Sequence, residues 1–275
     1  MNDQRQTGAE HWKGRTASWT STAATGLSTD DTFNQMIIEH ADLQPGECVL
    51  DLGSGTGDPA ISIGLMLGDT GRLIACDLTL EMLAHARTRA TNVGIANIGF
   101  AAADMQAIPF SAGRFDAVTC RFGLMFSADK VTAAAEARRV LRPGGRVAFV
   151  VWGHYEENPS FFVLRRAMAA AVGEDERPPP QRHSLGVPGL LTDILTRAGF
   201  EKVEERELLY ERRVDDLDDY ITRGLRRGYS DTLDRLNPAE QAELVGEVRD
   251  AFEPWRRDGV IHMPNSARLG LGFRR

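Results

Sequence analysis

The chain has 275 residues and a mass of 30.2 kDa, with 42% hydrophobic and 26% charged residues, enough for one domain with insertions and a large core. Its formal net charge of -7 and pI near 5.5 argue against a nucleic-acid partner, because a phosphate backbone demands a basic face. The start Met1–Arg5 lacks a signal-peptide core and no run approaches membrane-spanning length, so the expectation is a cytoplasmic protein without a membrane span.

Residues 1–28 are polar and rich in Thr, Ser, Ala and Gly, with Trp12 and Trp19 as large anchors; such a segment builds no core and is expected to cover something else. Ser28–Asp31 starts a helix whose Phe33, Met36, Ile37 and Ala41 recur at helical spacing until Pro45–Gly46. Strand one is expected over Glu47–Leu52, a helix over Pro59–Leu67, strand two over Arg72–Leu78 and a helix over Leu80–Asn92. Strand three covers Ile98–Ala102 and strand four Phe115–Cys120, an apolar run suited to a sheet covered on both faces. A helix over Ala128–Leu141 stops at Arg142–Gly145, and strand five, Arg146–Trp152, follows. Strands alternating with helices of about a dozen residues imply parallel pairing and right-handed crossovers.

Beyond Trp152 the pattern changes. Asn158–Val172 reads as an amphipathic helix, Glu174–Pro180 as a charged proline linker, and Leu190–Ala198 as a further helix before a strand over 201–213. Helices over Asp216–Leu225 and after the capping box Asn237–Glu240 precede a last strand near Ala267–Arg274. Arg223, Arg226 and Arg227 are read as a solvated helix face, and Cys48, Cys76 and Cys120 as structural thiols in a buried sheet. The fold class is thus α/β, with a doubly wound, mostly parallel seven-stranded sheet carrying helical insertions.

The stretch Val49–Gly57 organises the rest: an apolar run ending in Asp51, then Gly53, Gly55 and Gly57 at alternate positions, then Asp58–Pro59 at a helix start. A dinucleotide fingerprint wants Gly or Ala at position 58, and a Walker loop wants Gly-Lys-Ser/Thr; neither is present. What remains is an acid two residues before the first glycine, Gly-x-Gly-x-Gly, and a second acid, Asp77, closing the next strand. Asp77 lies where an acid can accept hydrogen bonds from ribose hydroxyls. Asp51–Gly57, Asp77, Asp104–Met105 and Arg121–Phe122 all fall at strand carboxyl ends, the edge where open parallel sheets bind ligands.

Over roughly residues 45–153 this set resembles the class I S-adenosylmethionine-dependent methyltransferases, within them the UbiE/COQ5-like small-molecule group. The resemblance implies one methyltransferase domain over 1–275, with 1–28 as an N-terminal cover, 45–153 as the cofactor-binding core, and 154–188 and 214–258 as substrate-side insertions. It implies S-adenosyl-L-methionine as cofactor: Gly53, Ser54, Gly55 and Gly57 let main chain approach the methionine end, Asp51 helps fix its ammonium, and Leu78 packs on the adenine. Asp104 would accept from the adenine amino group and the Met105 N–H would meet a ring nitrogen. Turn acid remains the bland reading of Asp104; Arg121 meets the cofactor carboxylate, the substrate, or only an ion-pair partner.

The expected reaction is methyl transfer to oxygen or carbon of a small, partly hydrophobic metabolite such as a quinol, polyketide or phenolic compound. Phe161, Phe162, Leu164, Met168, Leu217, Tyr220, Ile221 and Leu225 are expected to supply an apolar chamber or simply to pack the insertions. Where a proton must leave the acceptor, His154 after strand five and His183 after the proline run are the candidate bases; His11, His40, His85 and His262 are read as surface or packing residues. A fold member that keeps the cofactor and catalyses a cyclisation or other non-methylating step is the alternative. No metal is called for, and the oligomeric state is not readable.

Overall fold

The structure is a computed structural model and describes residues 31–175 and 178–275. The expected cover 1–28, with Trp12, Trp19 and His11, lies outside the described residues.

In chain order the elements are α1 Thr32–His40, β1 Cys48–Leu52, α2 Ala60–Leu67, β2 Arg72–Asp77, α3 Leu80–Asn92, β3 Ile98–Ala102, β4 Phe115–Arg121, α4 Lys130–Val140, β5 Leu141–Trp152 and α5 Pro159–Ala171. There follow α6 Leu190–Arg197, β6 Glu201–Val214, α7 Leu217–Leu233, α8 Pro238–Phe252, β7 Arg256–Arg257 and β8 Val260–Phe273. The sheet order is β3-β2-β1-β4-β5-β8-β6, with β7 paired antiparallel to β8. Pairs β1–β2, β1–β4, β2–β3 and β4–β5 are parallel. Parallel strands feeding right-handed crossovers put all their carboxyl ends on one edge. The chain winds outward from β1 to β3, then returns to the far side of β1 as β4, so the order reverses between β1 and β4, where such sheets open a crevice.

Local chemistry accounts for the elements. In β1 the run Val49–Leu52 is wholly buried, as a central parallel strand must be. Asp31 caps α1, its Oδ1 accepting from the N–H groups of Phe33 at 3.0 Å and Asn34 at 3.1 Å. The expected capping box on α8 is present: Asn237 Oδ1 accepts from Glu240 N at 3.1 Å while Glu240 returns a carboxylate to Asn237 N at 2.7 Å.

Three boundaries depart from expectation by more than three residues. Arg142–Gly145 does not precede β5 but is looped out within it: Phe115 pairs with Leu141, yet the next paired residue, Ala117, faces Arg146. β8 starts at Val260, seven residues early: the buried Asn265 side chain and the main chain of the buried Ser266 have hydrogen-bond partners, and Pro264 sits at an exposed position. α7 runs on to Leu233 past Tyr229, whose φ of -144° and ψ of 25° kink it.

Two compact units emerge. Among the described residues, the first takes those up to Val151, with Val187–Arg206 and Arg268–Arg275; the second takes those within Trp152–Gly186 and Glu207–Ala267. The second unit has its own apolar core, in which Leu164, Met168, Leu217, Ile221 and Leu225 are buried with Leu244, Val248 and Phe252. Burying each such side chain contributes about 1.5–3 kcal/mol. These residues are therefore packing; of the others expected to line a chamber, Phe162 and Tyr220 also pack against this core, and Phe161 is half-buried.

Candidate functional site

Asp51 ends the buried run of β1 and is itself completely buried. Its Oδ1 accepts from Thr119 Oγ1 of β4 at 2.7 Å, while Oδ2 is buried without a hydrogen-bond partner. Burial pushes the carboxyl up to about 7, against the lowering by Thr119, Ser54 and the Arg121 guanidinium; the neighbouring Asp77 adds to the rise.

Directly after it the chain turns through Gly53, Gly55 and Gly57 at φ of +67°, +52° and +111°. A Cβ at Gly53 would make ordinary contact, 3.4 Å from the Gly123 Cα, and one at Gly57 would stand only 2.8 Å from Ile61 Cδ1 and force that side chain to shift, so it is the positive-φ backbone that demands glycine at both. Ser54 fixes the turn: its N–H donates to Cys76 O at 2.9 Å and its Oγ to Asp51 O at 2.9 Å.

Asp77 closes β2 beside this turn. Its Oδ2 accepts from Gly55 N at 2.9 Å and its Oδ1 from Thr79 N at 2.8 Å. Burial raises its pKa against those backbone bonds. Each oxygen keeps a further lone pair for a hydroxyl donor. Leu78 is half-buried, and Leu80, at the start of α3, is 67% exposed, an apolar group at this edge that the sequence reading passed over. Beyond β3, Asp104 Oδ1 accepts from Gln106 N at 2.9 Å, the Asp turn of the bland reading, and Ala103 N donates to Asp77 O at 2.9 Å. Met105 Cε lies 3.7 Å from where a Gly53 Cβ would be.

Arg121, at the end of β4, reaches to α1: Nη2 pairs with Asp31 Oδ2 at 3.0 Å and Nη1 donates to Asn34 Oδ1. Its Nε is buried with no partner. The next residue, Phe122, sits at φ +57°, a strained position for an aromatic side chain, with its ring edge-on to Phe33 at 4.9 Å. Asp51, Gly53, Ser54, Gly55, Gly57, Asp77, Leu78, Asp104, Met105 and Arg121 thus all lie in the first unit at the ends of β1–β4 or in the loops that follow.

The two histidines belong to the second unit. His154 is exposed and opens a short helical turn, its N–H donating to Glu157 Oε2 at 3.1 Å and its carbonyl accepting from Asn158 Nδ2 at 2.9 Å. His183 is 7% exposed, with Nδ1 2.9 Å from Gly153 O. Burial first, then the charges of Arg182, His154 and Arg165, pull its pKa down to about 4 despite the Gly153 bond. The ring is neutral at ordinary pH, so Nδ1 carries the proton toward Gly153 and the buried Nε2, which has no partner, is an acceptor. Tyr155 and Phe161 meet it edge-on at 5.3 and 5.2 Å, and Trp152 meets Phe161 at 4.9 Å.

Cys76 and Cys120 are buried free thiols pushed up to about 12 by burial, which leaves them inert as nucleophiles. Among the described residues no group of three or more His, Cys, Asp or Glu is arranged to hold a metal, and no helix is long and apolar enough to cross a membrane.

The sequence matches the ubiE/COQ5 methyltransferase family over residues 23–167, more than half of the chain. The chain belongs to that family. A curated relative, the ubiquinone/menaquinone biosynthesis C-methyltransferase UbiE of Enterobacter sp. (strain 638), is 37% identical over 53% of this chain and 62% of its own length. Other relatives of the same name are matched over less, 44% of the Marinomonas sp. protein at 39% identity, so the chain spans about three-fifths or less of their lengths. Among solved structures, phosphoethanolamine N-methyltransferase 2 of Haemonchus contortus, in complex with S-adenosylhomocysteine, gives a TM-score of 0.55 at 18% identity over 89% of this chain and 52% of that one. The [4+2]-cyclase SpnF gives 0.56 at 20% identity over 89% and 81%. Likenesses this distant show the fold, a Rossmann-like α/β arrangement with a mostly parallel sheet.

The cofactor that goes with the family is S-adenosylmethionine, and the side chains of the first unit fit it. A zwitterionic amino-acid end needs a buried acceptor for its ammonium and a buried donor for its carboxylate; Asp51 Oδ2 and Arg121 Nε are such atoms without partners. The glycine turn keeps Cβ atoms away from it, and Asp77 retains acceptor capacity for a ribose. Thr119 was missed from the sequence, where a strand threonine carries no signal.

Proposed function

We propose that the protein transfers a methyl group from S-adenosylmethionine to an oxygen or carbon of a small, partly hydrophobic metabolite of the quinol, polyketide or phenolic type. The observation that carries this reading is Asp51, a fully buried carboxylate with an unpartnered Oδ2 beneath a turn of positive-φ glycines. When bound, the cofactor supplies an electrophilic methyl group on a sulfonium, so no side-chain nucleophile is required. Asp51 holds the ammonium, Arg121 Nε–H the carboxylate, and Gly53, Ser54, Gly55 and Gly57 leave the main chain open to the methionine end. Asp77 takes ribose hydroxyls, Leu78 the adenine face, and Asp104 with the Met105 N–H the adenine edge.

We assign 45–153 to the cofactor core and 154–188 with 214–258 to the acceptor. The half-buried aromatic pair of Trp152 and Phe161 suits the neighbourhood of an aromatic acceptor, and the lone pair of His183 Nε2 suits a hydroxyl donor. A nitrogen with a pKa near 4 orients a hydroxyl better than it removes its proton, so His154 stays the base candidate. The curated relatives' name, a C-methyltransferase of quinone biosynthesis, favours a quinol ring carbon within this class.

The test is incubation with methyl-deuterated S-adenosylmethionine and a panel of hydroquinones, phenols and aromatic polyketides, read by mass spectrometry. A labelled product formed in step with S-adenosylhomocysteine supports transfer. Conversion of a panel member without label would favour the non-methylating alternative, and a protein that binds neither S-adenosylmethionine nor S-adenosylhomocysteine would end the reading.

A further inference from the structure

Asn34 lies on α1 and is completely buried. A buried side-chain amide needs partners at both ends, and here both ends are engaged, with α2, β4 and the turn before α2. Nδ2 donates to Asp58 Oδ1 at 3.2 Å and to Ser62 Oγ at 3.1 Å, while Oδ1 accepts from Arg121 Nη1. Two ion pairs flank it: Arg121 with Asp31 at 3.0 Å and Arg89 with Asp58 at 2.9 Å. The same Arg89 Nη1 also donates to Thr56 O at 2.7 Å, within the glycine turn. Asn34 is thus the neutral junction between two arginines, one at the end of β4 and one gripping the turn through Asp58 and Thr56.

A stable seat for α1 does not call for this arrangement. Well-packed apolar residues of similar volume hold a helix about as firmly as ions that are half-buried and have lost part of their hydration, as Asp31, Asp58 and Arg121 have. What a satisfied polar network adds is one fixed geometry, since each donor and acceptor has a single partner direction. Arg121 stands close enough to Asp51 to lower its pKa, and the turn that Arg89 grips begins two residues after Asp51, at Gly53.

We infer that Asn34 is a positioning residue of the cofactor site: by tying Arg121 to Asp58, and through Arg89 to the Thr56 carbonyl, it holds the guanidinium and the glycine turn in one arrangement around the cofactor's amino-acid end. The inference rests on the cofactor reading above. It assigns α1 a part in ligand recognition, although no residue of that helix is placed against the ligand.

Calorimetric binding of S-adenosylhomocysteine and of adenosine, which lacks the amino-acid end, separates this role from a structural one. Each variant is measured well below its own melting temperature. Asn34→Ala should weaken S-adenosylhomocysteine about tenfold or more and adenosine less than about threefold, since only the former uses the end that the network shapes. Asn34→Asp keeps an acceptor for Arg121 but sets a carboxylate against Asp58, and should weaken S-adenosylhomocysteine as much. Asn34→Asp combined with Asp58→Asn reverses donor and acceptor at the junction, leaves an amide oxygen for Arg89, and should recover most of the loss. A folded Asn34→Ala with parental affinity, equal loss for the two ligands, or no recovery in the double variant would each overturn the inference. If Asn34→Ala does not fold, the Asn34→Asp pair of variants decides. A parent protein that binds neither ligand would refute the cofactor reading and this inference with it, an outcome distinct from parental binding without a variant effect.

Discussion

Asp51 carries the prediction with the clearest sign. In the unfolded chain its carboxyl would titrate near 3.8; burial lifts it to about 7 in the folded protein. At about 1.36 kcal/mol for each tenfold change in proton affinity, ionising Asp51 inside the fold costs on the order of 4 kcal/mol more than in the unfolded chain. A raised carboxyl holds its proton more tightly when folded, so its contribution to stability is full below about pH 4 and is lost as pH rises through about 7. Asp51→Asn keeps the shape and an acceptor for Thr119 Oγ1 but cannot ionise. Urea unfolding of the ligand-free protein between pH 5 and 8 should therefore show the parent losing stability, relative to Asp51→Asn, by a few kcal/mol across that range. An arriving ammonium favours the ionised carboxylate, so binding of S-adenosylhomocysteine at pH 6 should release close to one proton, about nine-tenths for a group titrating near 7. Calorimetry in buffers of different ionisation enthalpy measures that proton directly, and Asp51→Asn should abolish it. Parallel stability curves for the two proteins, or binding without proton release, would refute the reasoning.

Asp77→Ala removes the acceptor for Gly55 and Thr79 N–H as well as the ribose contact, and should weaken S-adenosylhomocysteine by about 1.5–3 kcal/mol in a calorimetric titration. Gly53→Ala forces a side chain to φ +67° with its Cβ 3.4 Å from Gly123 Cα; a loss of about 1–2 kcal/mol in stability and a drop in cofactor affinity should appear together in thermal unfolding and titration. Should the acceptor lose a proton to His154, His154→Ala lowers turnover by about 10²–10⁴-fold with cofactor affinity unchanged, and full activity would exclude it as base.

The first half of the chain was legible because its signals are periodic or carry glycine. Residues 98–102 and 80–92 fold as read, β1 lacks only its first residue, and Gly53, Gly55 and Gly57 have the positive φ their positions demanded. What escaped the reading was polar residues in buried places. Asn265 and Ser266 look like a loop after Pro264, yet Ser160 Oγ donates to Asn265 Oδ1 at 3.0 Å and Ser266 N donates to Asn158 Oδ1 at 3.1 Å, so β8 runs straight through them. Likewise Arg142-Pro143-Gly144-Gly145 has the composition of a connection, and only the pairing on either side shows that the strand had already begun. Arg121 had three readings open, and its two bonds to Asp31 and Asn34 come from a helix some ninety positions earlier that no local pattern could connect to it.

The same asymmetry bears on where specificity sits. Apolar periodicity in the second unit is used up by its own core, since Leu164, Met168, Leu217, Ile221 and Leu225 are buried against α8 and its neighbours. Those side chains carry no hydrogen-bonding group, so under the proposed function selection by hydrogen bond falls to the partnerless Nε2 of His183, beside the half-buried Trp152 and Phe161. An apolar wall alone discriminates weakly, about tenfold to two-hundredfold per methylene, whereas a buried acceptor left unpaired rejects an analogue lacking the matching hydroxyl far more strongly. His183→Asn can keep a side-chain donor for Gly153 O where Nδ1 stands while removing Nε2. It should raise KM for a hydroxylated acceptor sharply while leaving its O-methylated or deoxy analogue nearly unaffected, a contrast that a purely packing role for His183 would not produce.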